Sequence, residues 1–514
     1  MTRSEIHRRI YIVLVLLLGG CMVTSVFATN LLWVLLGANW LLEGRWREKW
    51  QMFKDSRLLQ AFLTLYLLFI VGLLWTTNLH HGLSVLQDKL PLVVVPLVML
   101  TSRPLTGHTR NTILGAYAIT VTVVSVIGLV RLLTIPDLPY RNAVPYISHI
   151  RFALNCCMVV FLAFAAVLGK GGHYPKAVRL LAALVAAWML CFLVLLRSYT
   201  GIAVLTVTSL ALLLFRYRNW RLMVLWVAVV GTLATMTVLE ARNYYRLVPL
   251  ATEPLRATTD GGRPYYHAND GMVENGNYIN NYICTEELRS EWNRRSSIDY
   301  DDTIDGGIMI KYTLVRYLNA LGLTKDSAGV AALTDEQVHA IEHNQANPVY
   351  SSHNPLRKMV YTTLFEVECH RYTQAVKGFT MLQRLALWRG TAEVIKENRW
   401  IGVGTGDADD ELHAMLESMQ SPMAGTTMRC HNQYLLLLES FGIVGFALLA
   451  FFFLRALRRK ADSTSPRRAV RLSSLMLAWL LTVLISFLTE DTLDTLAGIL
   501  FCTYFLAFRD PEAE

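Results

Sequence analysis

The stretch His431–Ala450, with the sequence HNQYLLLLESFGIVGFALLA, decides how this chain is organised. Four polar or aromatic residues lead directly into an apolar run, and a helix needs about 20 mainly apolar residues to cross a bilayer. Upstream, residues 240–430 are polar, and a block of membrane-length apolar segments precedes them. The pattern indicates a membrane protein with one large water-side region and a histidine where the chain re-enters the membrane.

Composition and charge agree with this interpretation. Hydrophobic residues make up 54% of the chain and charged residues 17%, below the roughly 25% charged residues of soluble domains. The net charge is +9, yet residues 241–430 hold 19 Lys/Arg against 24 Asp/Glu, which puts a net −5 there and +14 in the apolar blocks. Basic charge in short loops between spans is a topology signal, so nucleic acid is excluded as a partner.

The basic clusters predict the topology, because cytoplasmic loops carry an excess of Lys and Arg. If each cluster is cytoplasmic, neighbouring clusters must enclose an even number of spans. The apolar runs Ile10–Leu42 and Ala177–Phe215 are then hairpins of two spans each. The clusters are Arg3/Arg8/Arg9, Arg45–Arg57, Arg103/Arg110, Lys170/Lys176, Arg216–Arg221 and Arg455–Arg471.

This argument predicts an all-α polytopic membrane protein with twelve transmembrane helices and both termini in the cytoplasm. Residues 1–239 would form spans 1–9, residues 240–430 a mainly helical periplasmic domain, and residues 431–514 spans 10–12. The predicted spans lie near 10–27, 28–43, 58–76, 84–101, 111–132, 151–169, 177–196, 200–215, 221–239, 434–454, 470–488 and 493–508.

Apolar spacing within the polar region predicts three short helices and one longer, broken pair. These are Glu286–Arg295, Lys311–Leu321, Asp335–His343 and Pro355–Asn398. Three cysteines of the region, Cys284, Cys369 and Cys430, would face an oxidising compartment, where one disulfide could form. The sequence does not select a pair.

Three motifs offer alternative chemistry, and each also has an ordinary structural explanation. His339-Ala340-Ile341-Glu342-His343 fits the H-x-x-E-H pattern of a zinc protease, but it also fits a short capped amphipathic helix. Gly402–Asp407 is similar to a phosphate loop, yet it lacks the usual spacing, which favours a flexible turn. Asp299/Asp301 and Asp407/Asp409 could hold a divalent cation, although acidic pairs are common on solvated surfaces.

A fourth constellation is more specific. His431-Asn432 is followed by nine residues and then by Gly442-Ile443-Val444-Gly445. A histidine at the water–lipid boundary can titrate near neutral pH and take a proton from a substrate hydroxyl. Glycines three residues apart permit another helix to approach closely. The simpler interpretation is a histidine that only anchors the span.

The pattern His-Asn-x9-Gly-x-x-Gly resembles the signature of the O-antigen ligase and polymerase superfamily of bacterial inner membranes. The upstream segments Gln383–Trp388 and Ile401–Gly406 are similar to the segment that precedes the histidine in that family. Arg197–Gly201 is a looser match. The family arginine is usually followed by three residues and a leucine, whereas this chain has Trp388 at that position.

The resemblance implies transfer of a glycan from an undecaprenyl diphosphate carrier to an acceptor hydroxyl, commonly on lipid A-core, at the periplasmic face of the bacterial inner membrane. It implies neither a cofactor nor a metal, and it implies that the enzyme works in contact with membrane lipids. His431, Arg384 and Arg197 would be catalytic, and Glu490 is a reserve base. Further candidates for binding the donor are Arg389, Arg151, Asn432 and Trp388.

The local sequence around the arginines sharpens these expectations. Arg384 has Trp388 at i+4 and no acidic residue at i±4, so its guanidinium is expected to be free for a diphosphate. Arg389 has Glu393 at i+4, which favours an ordinary surface pair. Arg151 and Arg197 are expected at outer helix ends, against the usual charge bias, which favours a ligand for both.

Within the superfamily, the sequence leaves ligase, repeat-unit polymerase and protein O-oligosaccharyltransferase open, because they share the donor and differ in the acceptor. The large external region favours the ligase. Outside the superfamily, a twelve-span transporter or flippase would move substrate without forming a covalent product. A membrane zinc protease would depend on His339 and His343.

Overall fold

The computed structural model describes residues 2–136, 138–169, 174–268, 270–304, 307–352, 354–374, 376, 378–457 and 474–509. Lys170 and most of the basic cluster Arg455–Arg471 lie outside the described residues. The chain divides into two compact units. Unit 1 comprises Met1–Val224 and Gln383–Glu514, and unit 2 comprises Leu225–Leu382.

Helices dominate both units. The first half of the chain forms α1 (Arg3–Cys21), α2 (Val26–Glu43), α3 (Trp46–Asp55), α4 (Arg57–Gly72), α5 (Leu79–Asp88), α6 (Pro91–Thr101), α7 (Gly107–Thr134), α8 (His149–Val167), α9 (Lys176–Leu195), α10 (Tyr199–Ala211) and α11 (Trp220–Tyr245). The rest forms α12 (Pro249–Thr252), α13 (Thr285–Arg295), α14 (Ile310–Leu321), α15 (Ser327–Ala331), α16 (Asp335–Glu342), α17 (Pro355–Thr373), α18 (Thr380–Glu397), α19 (Ala408–Ser418), α20 (Gln433–Leu457), α21 (Ser474–Ser486) and α22 (Leu496–Tyr504).

Every predicted span overlaps an apolar helix or helix pair. By length and composition, eight segments of the described chain can cross a membrane, and α3 with α4, bent by 86°, would be a ninth. Three apolar helices do not meet the length and composition required of a span. Helix α1 has charged residues in its first turns, and α21 and α22 are too short. A polytopic helical protein is confirmed, and the count of twelve spans stays a prediction.

Helix α8 lies at the centre of unit 1. It contacts α7, α9, α10 and α21, and Phe152, Cys156 and Val159 on it are fully buried. One polar pair crosses this core, because Tyr117 Oη donates to Asn155 Oδ1 at 2.7 Å. The core therefore holds α8 in register with its neighbours, and the first turn of α8 contributes to the site described below.

Helix α20 is broken at Gly442, whose φ of 62° and ψ of −170° are not helical. A Cβ at this position would lie 2.3 Å from the carbonyl carbon of Trp400. The segment after α18 bonds to the break instead, with Ile443 N donating to Arg399 O at 2.8 Å and Gly404 N donating to Ser440 O at 3.0 Å. Gly442 thus permits close approach of the extended segment that follows α18. The expectation that another helix packs at this glycine is wrong.

The Gly402–Asp407 loop is buried and not a flexible turn. All six of its residues are buried, and Cβ atoms at Gly402 and Gly406 would each lie within 2.5 Å of neighbouring backbone. Asp407 accepts hydrogen bonds from the backbone of Thr77 and Asn78 at 2.7 and 2.8 Å. The glycines serve close packing, and the carboxylate is used internally.

Unit 2 has a helical core with two small hairpins. Helices α13, α14 and α16 surround Trp292, Leu314 and Ile341, all fully buried. The antiparallel pairs are β1 (Val273–Glu274) with β2 (Asn277–Tyr278), and β3 (Thr303–Ile304) with β4 (Ile308–Met309). The predicted short helices and the broken pair are confirmed by α13, α14, α16, α17 and α18.

All eight cysteines lie in the described chain and are free thiols, so the disulfide considered among Cys284, Cys369 and Cys430 is not formed. Burial raises the pKa of the Cys430 thiol to about 12. This thiol is therefore a poor nucleophile and a poor partner for exchange at neutral pH.

Candidate functional site

His431 lies just before the first turn of α20, in a left-handed conformation with φ of 52°. Asn432 explains why the helix begins at Gln433. Its Oδ1 accepts hydrogen bonds from the backbone N–H groups of Tyr434 and Leu435 at 3.1 and 3.2 Å, which caps the helix. The histidine side chain is thus held beside a fixed helix end and remains 29% exposed.

Three residues, Asn432, Gln433 and Tyr434, form hydrogen bonds to the end of α21 and to the connection between α21 and α22. The bonds run from Asn432 Nδ2 to Leu488 O (3.0 Å), from Gln433 N to Phe487 O (2.9 Å), from Leu493 N to Gln433 Oε1 (2.7 Å) and from Tyr434 Oη to Leu484 O (2.8 Å). Asn432 thus positions the backbone rather than offering a free amide to a donor. We call residues 489–494, with the sequence TEDTLD, the acidic turn.

Asp491 of the acidic turn faces His431. Its Oδ1 lies 3.6 Å from His431 Nδ1 and 3.5 Å from the Arg151 guanidinium. Burial would raise the pKa of Asp491, but the adjacent His431 and Arg151 outweigh it and lower this pKa to about 2. The carboxylate is therefore ionised at neutral pH, and it can orient the imidazole and stabilise its protonated form.

Arg384 is paired with Glu490, the residue of the acidic turn that precedes Asp491. Its guanidinium donates to Glu490 Oε1 at 2.5 Å and to the Thr489 carbonyl at 2.6 Å. The expectation of a free guanidinium is wrong, because the partner lies 106 residues away and not on the same helix. Glu490 is 5% exposed and acts here as a counter-ion, which makes it less available as a base.

Two further candidates, Arg197 and Trp388, lie near the acidic turn and His431, respectively. Arg197 lies over the Tyr140 ring at 4.9 Å, and its turn meets the acidic turn through Thr200 and Thr489 hydroxyls 2.8 Å apart. Trp388 donates from Nε1 to Cys430 O at 2.9 Å, so it supports the backbone beside His431.

Arg389 lies on α18 and is exposed. The expected surface pair with Glu393 is wrong, because Glu393 pairs with Lys396 at 2.7 Å. Arg389 stays a candidate for the donor on exposure alone, without a described contact to the acidic turn.

A second ionic group was not predicted. Arg429 lies 3.0 Å from Asp409 and 3.5 Å from Asp494, and Lys89 lies 2.5 Å from the other oxygen of Asp494. Asp409 also faces His81 at 3.8 Å. The signal in the sequence was the density of acids in the short acidic turn, whose three carboxylates each meet a basic side chain.

The H-x-x-E-H motif forms the capped helix α16. Thr334 and Gln337 make the reciprocal bonds of a capping box, and Glu342 accepts from the Ser296 hydroxyl at 2.5 Å. The His339 and His343 rings stack with centroids 4.1 Å apart. Within the described residues, no third His, Cys, Asp or Glu ligand completes a metal group there.

The acidic pairs considered for a divalent cation have internal partners. Asp301 is bound by Arg289 and Lys311 at 2.8 and 3.2 Å. Asp299 accepts from Asn293 at 2.5 Å, and Asp407 and Asp409 are engaged as described above. These oxygens serve the local fold.

One group in the described chain has the composition of a metal site. The potential ligand atoms of His431, Glu490 and Asp491 lie within 4.8 Å of one another. Both carboxylates are already paired with guanidinium groups, so a cation would have to compete with Arg384 and Arg151. The arrangement fits a charge-compensated acid–base site better than a metal centre.

Residues 338–450 match the family model described as O-Antigen ligase. The resemblance to the O-antigen ligase and polymerase superfamily is confirmed. The matched range includes Arg384, His431 and the Gly-x-x-Gly pair, whereas Glu490 and Asp491 lie beyond it. The family comprises glycosyltransferase-like enzymes that use a lipid-linked glycan donor and a glycan acceptor. No curated protein matched the chain.

Proposed function

We propose that this protein is an O-antigen ligase-like glycosyltransferase. It moves a glycan from a polyprenyl diphosphate carrier to an acceptor hydroxyl of lipid A-core, at the periplasmic face of the bacterial inner membrane and without a metal. The observation that carries the proposal is the contact of His431 with Asp491, which also pairs with Arg151, beside the Arg384–Glu490 pair. His431 and Arg384 both lie within the segment that matches the family.

His431 is the proposed general base. Its Nδ1 faces Asp491, which leaves Nε2 to take the proton from the acceptor hydroxyl. As that oxygen bonds to the anomeric carbon of the donor, the bond from this carbon to the diphosphate oxygen breaks. The proton goes to Nε2, and the polyprenyl diphosphate departs with the electron pair of the broken bond. The 3.6 Å separation from Asp491 can tighten when substrate binds, as catalytic contacts often do.

Arg384, Arg151 and Arg197 are proposed to hold the diphosphate. A guanidinium carries five N–H donors in a planar fork that suits phosphate oxygens. Arg384 uses two contacts for the acidic turn, and the buried Arg151 Nε has no hydrogen-bond partner in the described structure. Both arginines therefore retain donors for a ligand while their carboxylate partners hold them in position.

The test is glycan transfer by the purified protein with a lipid-linked donor and three acceptors: lipid A-core, a growing polymer and a protein. The proposal expects product on lipid A-core, loss of at least 100-fold in His431→Ala, and a smaller loss in Glu490→Gln. A dead Glu490→Gln variant beside an active His431→Ala variant would overturn the assignment of the base. Transport of the donor in liposomes without a covalent product would support a flippase instead.

The proposed location has its own test. Reporter fusions after Arg263 and after Arg468 should give opposite compartments, the first periplasmic and the second cytoplasmic. Signals from the same side at both positions would contradict the twelve-span topology.

A further inference from the structure

A cavity of about 290 Å³ lies within unit 2. Residues of the segments 250–255 and 271–282, together with Lys325, form its walls, and none of them takes part in the site described above. Small-molecule sites in proteins start at roughly 300 Å³. The cavity is therefore of a size for one small ligand rather than for a long chain.

Lys325 brings a cationic group to this cavity. The residue is 1% exposed, and its Nζ donates to Asn319 Oδ1 at 2.9 Å and to Tyr278 O at 3.2 Å, both neutral acceptors. Within the described chain no carboxylate lies within ion-pair distance of it, and the neighbouring Asp326 is engaged by Tyr265 and Gly329. Buried cations are normally paired, and burial lowers the pKa of this one to about 7.

Asn277 brings an unsatisfied acceptor to the same cavity. It is 3% exposed, and its Oδ1 is buried without a hydrogen-bond partner in the described structure. Its Nδ2 donates to the backbone carbonyl of Asn319 at 2.9 Å. Asn319 is fully buried and holds both Asn277 and Lys325, so the unmet acceptor and the unmatched cation are fixed relative to each other.

The two groups together specify a ligand chemistry. A cationic donor calls for an anion such as a carboxylate, and an orphan carbonyl oxygen calls for a donor such as a hydroxyl. An anion without a proton, such as chloride or sulfate, would leave Asn277 unmet. The lining also includes Leu250, Leu255, Tyr278 and Tyr282, together with the polar residues Glu253 and Asn281. Small-molecule sites usually combine apolar and polar groups in this way.

We propose that this cavity binds an acidic sugar residue of the glycan, with its carboxylate on Lys325 and a hydroxyl on Asn277. The choice of a sugar among hydroxy acids rests on the proposed glycosyltransferase function. The site itself rests only on the cavity, the unpaired cation and the unmet acceptor.

The experiment measures binding of D-glucuronate, D-glucose and inorganic phosphate to the full-length protein in nanodiscs by isothermal titration calorimetry. The expected result is at least tenfold tighter binding of glucuronate than of glucose or phosphate. Lys325→Met keeps the length of the side chain and removes the charge, so it should abolish this preference. Lys311→Met is the matched control, because Lys311 pairs with Asp301 at the surface of the same unit.

Asn277→Asp is a second variant. It should also lose glucuronate, because it adds a carboxylate beside Lys325 to a cavity that Glu253 already lines. Thermal midpoints of all variants are compared to confirm folding. Equal affinity for glucose and glucuronate, or retained preference in both variants, would overturn the proposal. Phosphate binding tighter than glucuronate would instead identify a site for a simple anion and would equally overturn it.

Transfer of a neutral glycan by the same preparation separates the two proposals. Selective binding of glucuronate without transfer would leave this site standing and refute the proposed function. Transfer without selective binding would do the reverse.

Discussion

Replacing Asp491 by asparagine tests the charge contact of the proposed base. The fall of the Asp491 pKa from 3.8 to about 2 corresponds to about 2 kcal/mol at 1.36 kcal/mol per pH unit. This is a net value, because burial opposes the attraction by His431 and Arg151. When a proton reaches the imidazole, its charge forms 3.6 Å from this carboxylate. Because Arg151 supplies part of this value, loss of the carboxylate should lower kcat by about 10- to 30-fold.

The assay is initial-rate transfer with purified donor and acceptor between pH 5 and 9. Asp491→Asn should lower kcat and also move the acidic limb of the pH–rate profile to lower pH, because the protonated imidazole loses its counter-charge. Asp494→Asn is the matched control. It lies in the same turn but pairs with Lys89 and Arg429, so it should leave this limb in place.

Two results would refute this reasoning. A kcat within threefold of the wild-type value would show that the carboxylate does not stabilise the proton transfer. If Asp491→Asn and Asp494→Asn both lowered kcat without moving the acidic limb, Asp491 would only stabilise the structure of the turn.

Three further outcomes are expected. Arg384→Lys keeps the charge but cannot bridge Glu490, Thr489 and a diphosphate at once. The value of kcat/KM for the donor should therefore fall about 10- to 100-fold, as expected for the loss of one charged hydrogen bond of about 1.5–3 kcal/mol. An unchanged kcat/KM would remove Arg384 from the donor site. Gly442→Ala should lower the thermal midpoint by several degrees, because the backbone conformation alone costs about 1–3 kcal/mol and the added Cβ would lie 2.3 Å from a backbone atom. Gly115→Ala is the control and should leave the midpoint unchanged, because a Cβ there meets nothing within 4 Å. Activity should survive chelators and the double change His339→Ala with His343→Ala, and a loss that zinc restores would contradict the metal-free mechanism.

Local sequence patterns predicted the helices well, because each depends on residues close in the chain. The Thr334–Gln337 capping box marks the start of α16 as expected, and Pro355 opens α17. Apolar length identified α7 and α20 as possible spans. The break of α20 could not be predicted, because Gly442 alone does not reveal that Trp400 and Ile401 will approach it.

The site was predicted only in part for the same reason. His431 and Arg384 stood in motifs, and the structure brings both to the acidic turn. Their partners Asp491 and Glu490 lie about 60 and 106 residues away, and nothing at i±4 indicates them. The error on Arg384 therefore came from treating a guanidinium as free when only its own helix had been searched.

The hydrogen bonds between residues 432–434 and 484–493 have a mechanical consequence. They make the proposed proton acceptor and its counter-charge parts of one stiff body, although α20 and α21 lie between the two in the chain. The distance between His431 and Asp491 therefore does not depend on the motions of more distant loops. Substitutions in those loops are therefore expected to leave the proposed proton transfer unchanged, even where they alter the binding of a substrate.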